Sequence, residues 1–225
     1  MSENEFTLIT AATAQSHDWE WLKRHLAPGL SLTDHTAEWS TQIVTGPKSR
    51  AILAEVCDGD LTKGWLTHQT ARIAGAEVWL CRVSFAGELG WEIHSKVADT
   101  EAVWNAVMRA GKGHGLRPFG MFALNALRVE KGYRAWKGDL STDYTILQGG
   151  LERFVDWSKP SFRGKAALEA EKQRGLTKRF ATLVIEAGEQ DPPYMSTIWH
   201  DGKVVGELTS GYYGHRVGAC IGLGM

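Results

Sequence analysis

The chain has 225 residues and a mass of 24.8 kDa, which is enough for one large or two modest domains with a hydrophobic core. Its 43% hydrophobic and 23% charged residues exclude a disordered chain, and 25 basic against 26 acidic residues give no net attraction for nucleic acid or an anionic membrane surface. The cysteines Cys57, Cys81 and Cys220 are odd in number and widely spaced, which predicts reduced thiols.

No apolar run approaches the roughly 18 residues that a membrane span needs, and the acidic residues 1–5 are unlike a signal or transit peptide. We therefore expect a soluble protein of the cytoplasm, or of the mitochondrial matrix if the source is a eukaryote.

Short strands and helices are mixed without regular alternation, which predicts an α+β fold. In chain order we expect a strand at residues 6–9, a helix capped by Ser16 or Asp18, a strand at 42–44 and a helix with Pro47 as its first residue. A hairpin of strands over 77–84 and 91–94 follows, then helices over about 100–110 and 121–131.

The second part of the chain has a different pattern. We place an α+β domain at residues 1–157, a linker with a short helix at 158–176, and a β module at 177–225. Predicted strands of the module are 179–185, 197–199, 203–207 and 218–223, and Asp201-Gly202 signals a type I′ hairpin turn. Because the sequence stops within the last strand, we expect further strands beyond residue 225.

Several common patterns are missing from the sequence. The glycine-rich residues 111–115 follow a predicted helix, whereas phosphate-binding loops follow a strand. The eight histidines do not have metal-ligand spacing, and there is no GxSxG, Walker A or dinucleotide-binding motif. We therefore predict no metal site and no FAD site on this chain.

Two segments carry specific motifs. Residues 83–93 read VSFAGELGWEI, and residues 119–140 read FGMFALNALRVEKGYRAWKGDL. Together with shorter pieces in the same order, they resemble the folate-binding half of dimethylglycine and sarcosine dehydrogenases, which is similar to the T protein of the glycine cleavage system. The shorter pieces are Gly46-Pro47 and residues 150–155, 162–168 and 206–211.

This resemblance covers nearly the whole chain, and the string KGYRAW at residues 131–136 favours the dehydrogenase branch. It implies an aminomethyltransferase fold with a small C-terminal β-barrel module, and tetrahydrofolate as the ligand. It also implies an FAD-dependent dehydrogenase portion elsewhere as a partner.

Glu92 is the main candidate for holding the folate. A pterin presents a ring N–H and an exocyclic amine side by side, and these two donors fit the two oxygens of one carboxylate. Strand alternation places Glu92 on the opposite face from Trp91 and Ile93. In the resembled family the carboxylate at this motif position holds the pterin, and the alternative is a solvated strand carboxylate.

Three aromatic residues are further candidates for lining the folate. The motif usually begins with Tyr where this sequence has Phe85, so a hydroxyl is missing. Tyr133 and Trp136, near the end of a predicted helix, either stack on the ligand or serve as packing residues.

An arginine that the family uses near the ligand is not matched. Leu124 and Phe122 occupy the two corresponding places, and Arg128 is either a replacement or a structural arginine.

The family's catalytic aspartate lies upstream of the segment resembling residues 6–9, so we expect truncation at this end as well and leave the catalytic residue unassigned. Asp139 and Asp143 are carboxylates that we expect to cap the turns following them.

The first hypothesis is a tetrahydrofolate-binding domain that accepts a one-carbon unit from oxidative demethylation of a methylated glycine. The second is a folate-fold module that binds or regulates without catalysis, because the family residues at positions 85, 122 and 124 are changed. The third is a folate-dependent demethylase for another methyl donor. Whether the isolated chain is an active enzyme stays open at this point.

Overall fold

The computed structural model describes residues 4–225, which divide into two compact units: Leu30–Arg128, and the residues up to Gly29 together with Val129–Met225. The helices are α1 (Gln15–His25), α2 (Ser49–Ala54), α3 (Thr100–Gly111), α4 (Met121–Glu130) and α5 (Lys165–Arg174). The strands are β1 (Trp39–Thr45), β2 (His68–Ile73), β3 (Ala76–Cys81), β4 (Gly90–Lys96), β5 (Ala181–Ile185), β6 (Thr197–His200), β7 (Lys203–Gly214) and β8 (Ala219–Gly224). The domain boundaries expected after residues 157 and 176 stay a prediction.

The unit Leu30–Arg128 is built on an antiparallel four-stranded sheet with the strand order β1-β4-β3-β2. The helices α2 and α3 contribute apolar side chains to a core on one face of this sheet. The members of that core are Val44, Ile52, Leu53, Leu61, Ala71, Ile73, Val78, Leu80, Trp91, Ile93, Val103, Ala106 and Val107. Glu92, His94 and Lys96 of β4 therefore occupy the opposite face of the sheet, while the buried Ser95 lies on the core face with Trp91 and Ile93.

The hairpin of β3 and β4 confirms the sequence prediction, whereas β2 was missed. The strand β2 pairs with β3 through a turn at Ala74-Gly75, where both residues have positive φ (53° and 82°). This is a type I′ hairpin turn, but Ala-Gly is not one of the dipeptides that signal it.

The strand predicted at residues 6–9 is wrong. These residues form no strand, and the side chains of Phe6 and Leu8 are 83% and 63% exposed. A run with high β-propensity becomes a strand only when another strand satisfies its backbone, and no described residue pairs with this segment.

Two predicted helix starts also need correction. The helix α1 begins at Gln15, so Ser16 and Asp18 lie inside it and Ala14 occupies the N-cap position. Pro47 lies in a turn before α2, which begins two residues later at Ser49.

The C-terminal strands form a second antiparallel sheet with the order β5-β8-β7-β6. The turn between β6 and β7 is the predicted type I′ turn, because Asp201 and Gly202 have φ values of 48° and 71°. Apolar side chains of β8 pack with Val129 at the end of α4. None of the helices within residues 4–225 is long and apolar enough to cross a lipid bilayer.

The carboxylate of Asp139 joins the segment after α4 to β7. It is fully buried, and it accepts hydrogen bonds from the backbone N–H of Ala135 at 2.8 Å and from the hydroxyls of Thr209 and Ser210 at 2.6 and 2.8 Å. The expectation that Asp139 caps the following turn is therefore wrong. The similar expectation for Asp143 is wrong too, because its carboxylate accepts a hydrogen bond from the hydroxyl of the preceding Ser141, at 2.8 Å.

We predict that Asp139→Ala lowers the free energy of unfolding by about 3 kcal/mol, because it leaves buried donors of the backbone and of two hydroxyls without their charged acceptor. Urea unfolding curves measure this as a lower midpoint at an unchanged slope. Asp143→Ala is the matched control, because Asp143 is exposed and its loss costs within about 0.5 kcal/mol. Equal losses in the two variants would contradict the role given to Asp139.

Candidate functional site

Hydrogen bonds to the backbone carbonyl of Leu89 connect the loop between β3 and β4 to residues 46–49. The backbone oxygen of Leu89 accepts hydrogen bonds from the N–H of Gly46 at 2.7 Å and from the hydroxyl of Ser49 at 3.0 Å. Gly90 follows, and a side chain there would lie about 3.0 Å from atoms of Ser84 and Thr45. Residues 46–49 and the loop before β4 are therefore packed closely together and hydrogen-bonded to each other. A side chain at position 90 would be too close to its neighbours, which explains the glycine in the motif.

This loop leads into β4 and sets its first two side chains. Trp91 is 1% exposed in the core, and the guanidinium of Arg82 lies 4.8 Å from its ring centroid. Glu92 is on the other face, and its side chain is 26% exposed. Phe85 is half-buried within the loop itself. The structure thus gives Glu92 a partly enclosed position rather than one in bulk water.

The neighbours of Glu92 on the same sheet face include His94, Cys81, Thr41 and Ile43, the last being directly opposite Glu92 on β1. His94 is two residues farther along β4, and its Nε2 lies 3.4 Å from Oε2 of Glu92. Cys81 is the β3 residue directly opposite Glu92 in the register. Thr41 is opposite His94 on β1, and a 2.9 Å hydrogen bond joins its Oγ1 to Nδ1 of His94.

The electrostatic environment of His94 favours its charged form. The sulfur of Cys81 and the carboxylate of Glu92 raise the pKa of His94 to about 9, against the effect of burial, which lowers it. A protonated imidazole therefore lies next to the carboxylate at neutral pH. The 3.4 Å contact is an ion pair and not a hydrogen bond, because Nε2 of His94 is buried without a hydrogen-bond partner among residues 4–225. Glu92 likewise accepts no hydrogen bond from the residues that the structure describes, so its acceptor positions remain open to a ligand.

The other predicted residues lie on and after α4. Arg128 is 4% exposed, and its Nε donates to Oδ1 of Asn125 at 3.1 Å. Of the two positions where the family has arginine, Leu124 is 9% exposed and Phe122 is 86% exposed. Burial of the Arg128 side chain is what a structural arginine requires, and its role in binding stays a prediction.

Tyr133 and Trp136 follow the helix rather than lying on it, because α4 ends at Glu130 and Gly132 turns the chain with a φ of 64°. Both are half-buried, and both belong to the unit that contains Val129–Met225. The indole Nε1 of Trp136 is buried without an acceptor among residues 4–225. A buried donor of this kind needs an acceptor such as water, and a contact of Tyr133 and Trp136 with a ligand stays a prediction.

Other features of the described residues lie apart from this group. The structure shows an open depression of about 270 Å³, and none of the predicted site residues lines it; the lining residues are Leu8, Ile9, Thr10, His17, Asp18, Trp21 and Leu22. Within residues 4–225, no three or more His, Cys, Asp or Glu side chains are grouped so as to hold a metal ion.

Sequence reasoning missed His94, Thr41 and Cys81. The signal for His94 was present, because residues two apart on a strand share a face and Glu92 had already been singled out. Thr41 and Cys81 join the group only through the pairing of β1 and β3 with β4, and that register is not written in any local motif.

Family models match most of the chain. Residues 1–159 match the model of the GCVT N-terminal domain, and residues 178–225 match that of the glycine cleavage T-protein C-terminal barrel domain. A comparison with solved structures confirms the expected aminomethyltransferase fold. The glycine cleavage system aminomethyltransferase T from Bartonella henselae superposes with a TM-score of 0.77 over 94% of this chain and 57% of that chain, at 21% identity.

Relatives occur in both expected branches. Human mitochondrial dimethylglycine dehydrogenase is 36% identical over 223 residues, and mouse mitochondrial sarcosine dehydrogenase is 37% identical over 228 residues. These alignments cover 96% and 97% of this chain, but only 26% and 24% of the two dehydrogenases. The aminomethyltransferase of Thermosynechococcus vestitus is 29% identical over 225 residues, which are 60% of its length. The chain thus spans about a quarter of the length of the dehydrogenases that it matches.

The raised pKa of His94 makes a prediction about stability. A group that binds its proton more tightly in the folded state stabilises that state fully below its unfolded pKa of 6.5, and this contribution is lost as pH rises to about 9. We expect His94→Gln to lower the free energy of unfolding by up to about 3 kcal/mol near pH 6, and by progressively less toward pH 9. Urea unfolding at a series of pH values measures the difference.

The control is His68→Gln, because His68 is an exposed residue on β2, directly opposite Cys81. Its substitution should change stability little, and equally at all pH values. A pH-independent loss in His94→Gln would show that packing alone, and not charge, accounts for the effect.

Proposed function

Because the chain belongs to the glycine cleavage T-protein family, we propose that it is a tetrahydrofolate-binding domain that accepts a one-carbon unit from oxidative demethylation of a methylated glycine such as dimethylglycine or sarcosine. The relatives named for these two substrates carry further sequence beyond the region that matches this chain. A separate FAD-dependent portion as the source of the one-carbon unit is therefore part of the proposal.

The observation that carries this proposal is the carboxylate of Glu92. It is half-buried on the sheet face opposite the core, 3.4 Å from an imidazole whose pKa is raised to about 9, and it accepts no hydrogen bond from the described residues. Two parallel N–H donors of a pterin would fit its two oxygens, and each hydrogen bond to a charged acceptor contributes about 1.5–3 kcal/mol. Phe85, in the loop that precedes β4, offers a ring for apolar contact in the same unit.

The chemistry proposed for the bound folate needs positioning above all. The lone pair of N5 attacks the carbon of a methylene iminium, a C–N bond forms, and the π electrons of the iminium move to the donor nitrogen. The N5 proton then passes through solvent to that nitrogen, and N10 displaces the demethylated amine, which gives methylene-tetrahydrofolate and releases one proton. Holding two reactants in this geometry replaces a bimolecular encounter, which accounts for several kcal/mol of the barrier. We assign no proton-transfer residue, because the buried Asp139 is already bonded to Ala135, Thr209 and Ser210.

A second candidate function is folate binding without turnover. Phe85, Phe122 and Leu124 stand where the family has a tyrosine or arginine, and the loss of polar contacts would weaken catalysis more than binding. Turnover distinguishes the two functions. The first function requires that the chain transfer labelled formaldehyde carbon, supplied with the demethylated amine, to tetrahydrofolate faster than the spontaneous reaction. The second function requires that the chain bind tetrahydrofolate while the transfer stays at the spontaneous rate. A screen of other methyl donors then tests the third hypothesis, a folate-dependent demethylase that acts on a different donor.

We predict that the native chain binds tetrahydrofolate and that Glu92→Gln weakens binding by about 10- to 100-fold, because one carboxylate oxygen becomes an NH₂ group that faces a ligand donor. Titration under reducing conditions, followed by quenching of the ten tryptophans, measures both dissociation constants.

Glu77→Gln is the matched control, since Glu77 is an exposed carboxylate on β3 of the same sheet. It should bind as the native chain does. Absence of binding by the native chain would refute the proposed function, whereas equal binding by the native chain and Glu92→Gln would refute only the role of Glu92.

A further inference from the structure

We propose that His94 is a positioning residue for folate binding, which holds the Glu92 carboxylate in one orientation toward the pterin. The proposal rests on the proposed function of Glu92 and extends it to a residue outside the motif. His94 itself need not touch the ligand.

The first support is the geometry along β4. Glu92 and His94 are two residues apart and therefore project from the same face of the strand, where Nε2 and Oε2 are 3.4 Å apart. The side chain of His94 is 7% exposed, whereas that of Glu92 is 26% exposed. The imidazole thus lies deeper than the carboxylate, and the outer side of the carboxylate faces away from it.

The second support is the hydrogen bond that fixes the imidazole ring. Oγ1 of Thr41 on β1 lies 2.9 Å from Nδ1 of His94, at paired positions of the two strands. With Nδ1 held on one side, Nε2 lies on the other at ion-pair distance from Glu92, without forming a hydrogen bond to it. A hydrogen bond to one ring nitrogen of a histidine fixes the ring and determines which interaction the other nitrogen can make.

The third support comes from the charges around the imidazole. The titratable groups that face it are Cys81 from β3 and Glu92 from its own strand, while the facing residue of β1 is the neutral Thr41. Lys96, the next residue on this face of β4, is bound to Glu38 at 2.9 Å. Both titratable neighbours favour the imidazolium, so a cation is available to attract the Glu92 carboxylate toward one side of its position.

A fixed Glu92 binds a ligand better, because a freely rotating glutamate loses side-chain entropy on binding. The contact with His94 uses one side of Oε2 only. A carboxylate accepts at about four positions, so two parallel donors can still bind to it.

The test is a double-mutant cycle on tetrahydrofolate binding by the full chain. We expect His94→Gln to weaken binding about 3- to 10-fold in the native background and by less than about twofold in the Glu92→Gln background, since its effect passes through Glu92. Equal losses in both backgrounds would overturn the proposal.

The pH profile separates a charge effect from a packing effect. The ratio of the dissociation constants of His94→Gln and the native chain cancels titration of the ligand itself. This ratio should stay constant between about pH 6.5 and 8 and fall toward one as pH rises through about 9, where the imidazolium is lost. A ratio that does not change with pH would count against the proposal.

A second variant avoids the risk that a buried substitution disturbs folding. Thr41→Val leaves His94 in place and removes only the hydrogen bond to its ring, and Thr41 is exposed on its strand. We expect about two- to threefold weaker binding, again only when Glu92 is present. Thr70→Val is the matched control, because Thr70 is an exposed threonine on β2 that faces Trp79 in the register. Thr41→Val and Thr70→Val binding equally well would overturn the proposal.

The outcomes separate this inference from the function on which it rests. Failure of the native chain to bind tetrahydrofolate refutes the proposed function. Binding by the native chain that is weakened by Glu92→Gln but unaffected by His94→Gln leaves the function standing and refutes the positioning role.

Discussion

The burial of Trp91 and Ile93 is the constraint on which the candidate site depends. These two side chains are 1% and 0% exposed in the core of their unit, and they fix which face of β4 points inward. A shift of the strand by one residue would place Glu92 in the apolar core and Trp91 in the solvent, at a cost far above that of any single contact. The orientation of the carboxylate that we propose to bind the ligand is thus determined by its two apolar neighbours.

The motif after α4 has an equivalent anchor in the other unit. Asp139 binds the backbone of Ala135 and the hydroxyls of Thr209 and Ser210, so two segments that are distant in sequence are joined by one buried acceptor. Trp136 lies within the short segment that this acceptor closes. The two hydroxyl residues within GELTSG, residues 206–211, are therefore explained by their hydrogen bonds to Asp139. A catalytic role for Asp139 does not agree with its full burial.

Local patterns predicted the features that depend on local physics. Strand alternation in β4 and the Asp201-Gly202 turn are each determined by neighbouring residues, and each was predicted. The errors concern pairing at a distance. Residues 6–9 have strand propensity but no partner, whereas β2 is a strand because β3 pairs with it. The partners of Asp139 and of His94 were out of reach for the same reason, since a hydrogen bond between residues about 50 to 70 positions apart leaves no periodic trace.

The bonds to the Leu89 carbonyl limit how this part of the chain can diverge in evolution. One oxygen serves both the Gly46-Pro47 segment and the loop before β4, so inserting a residue into either loop would remove the acceptor from the other. Homologues should therefore keep both loops at constant length, and insertions should collect in connections without such a shared acceptor, such as the exposed turn at residues 201–202.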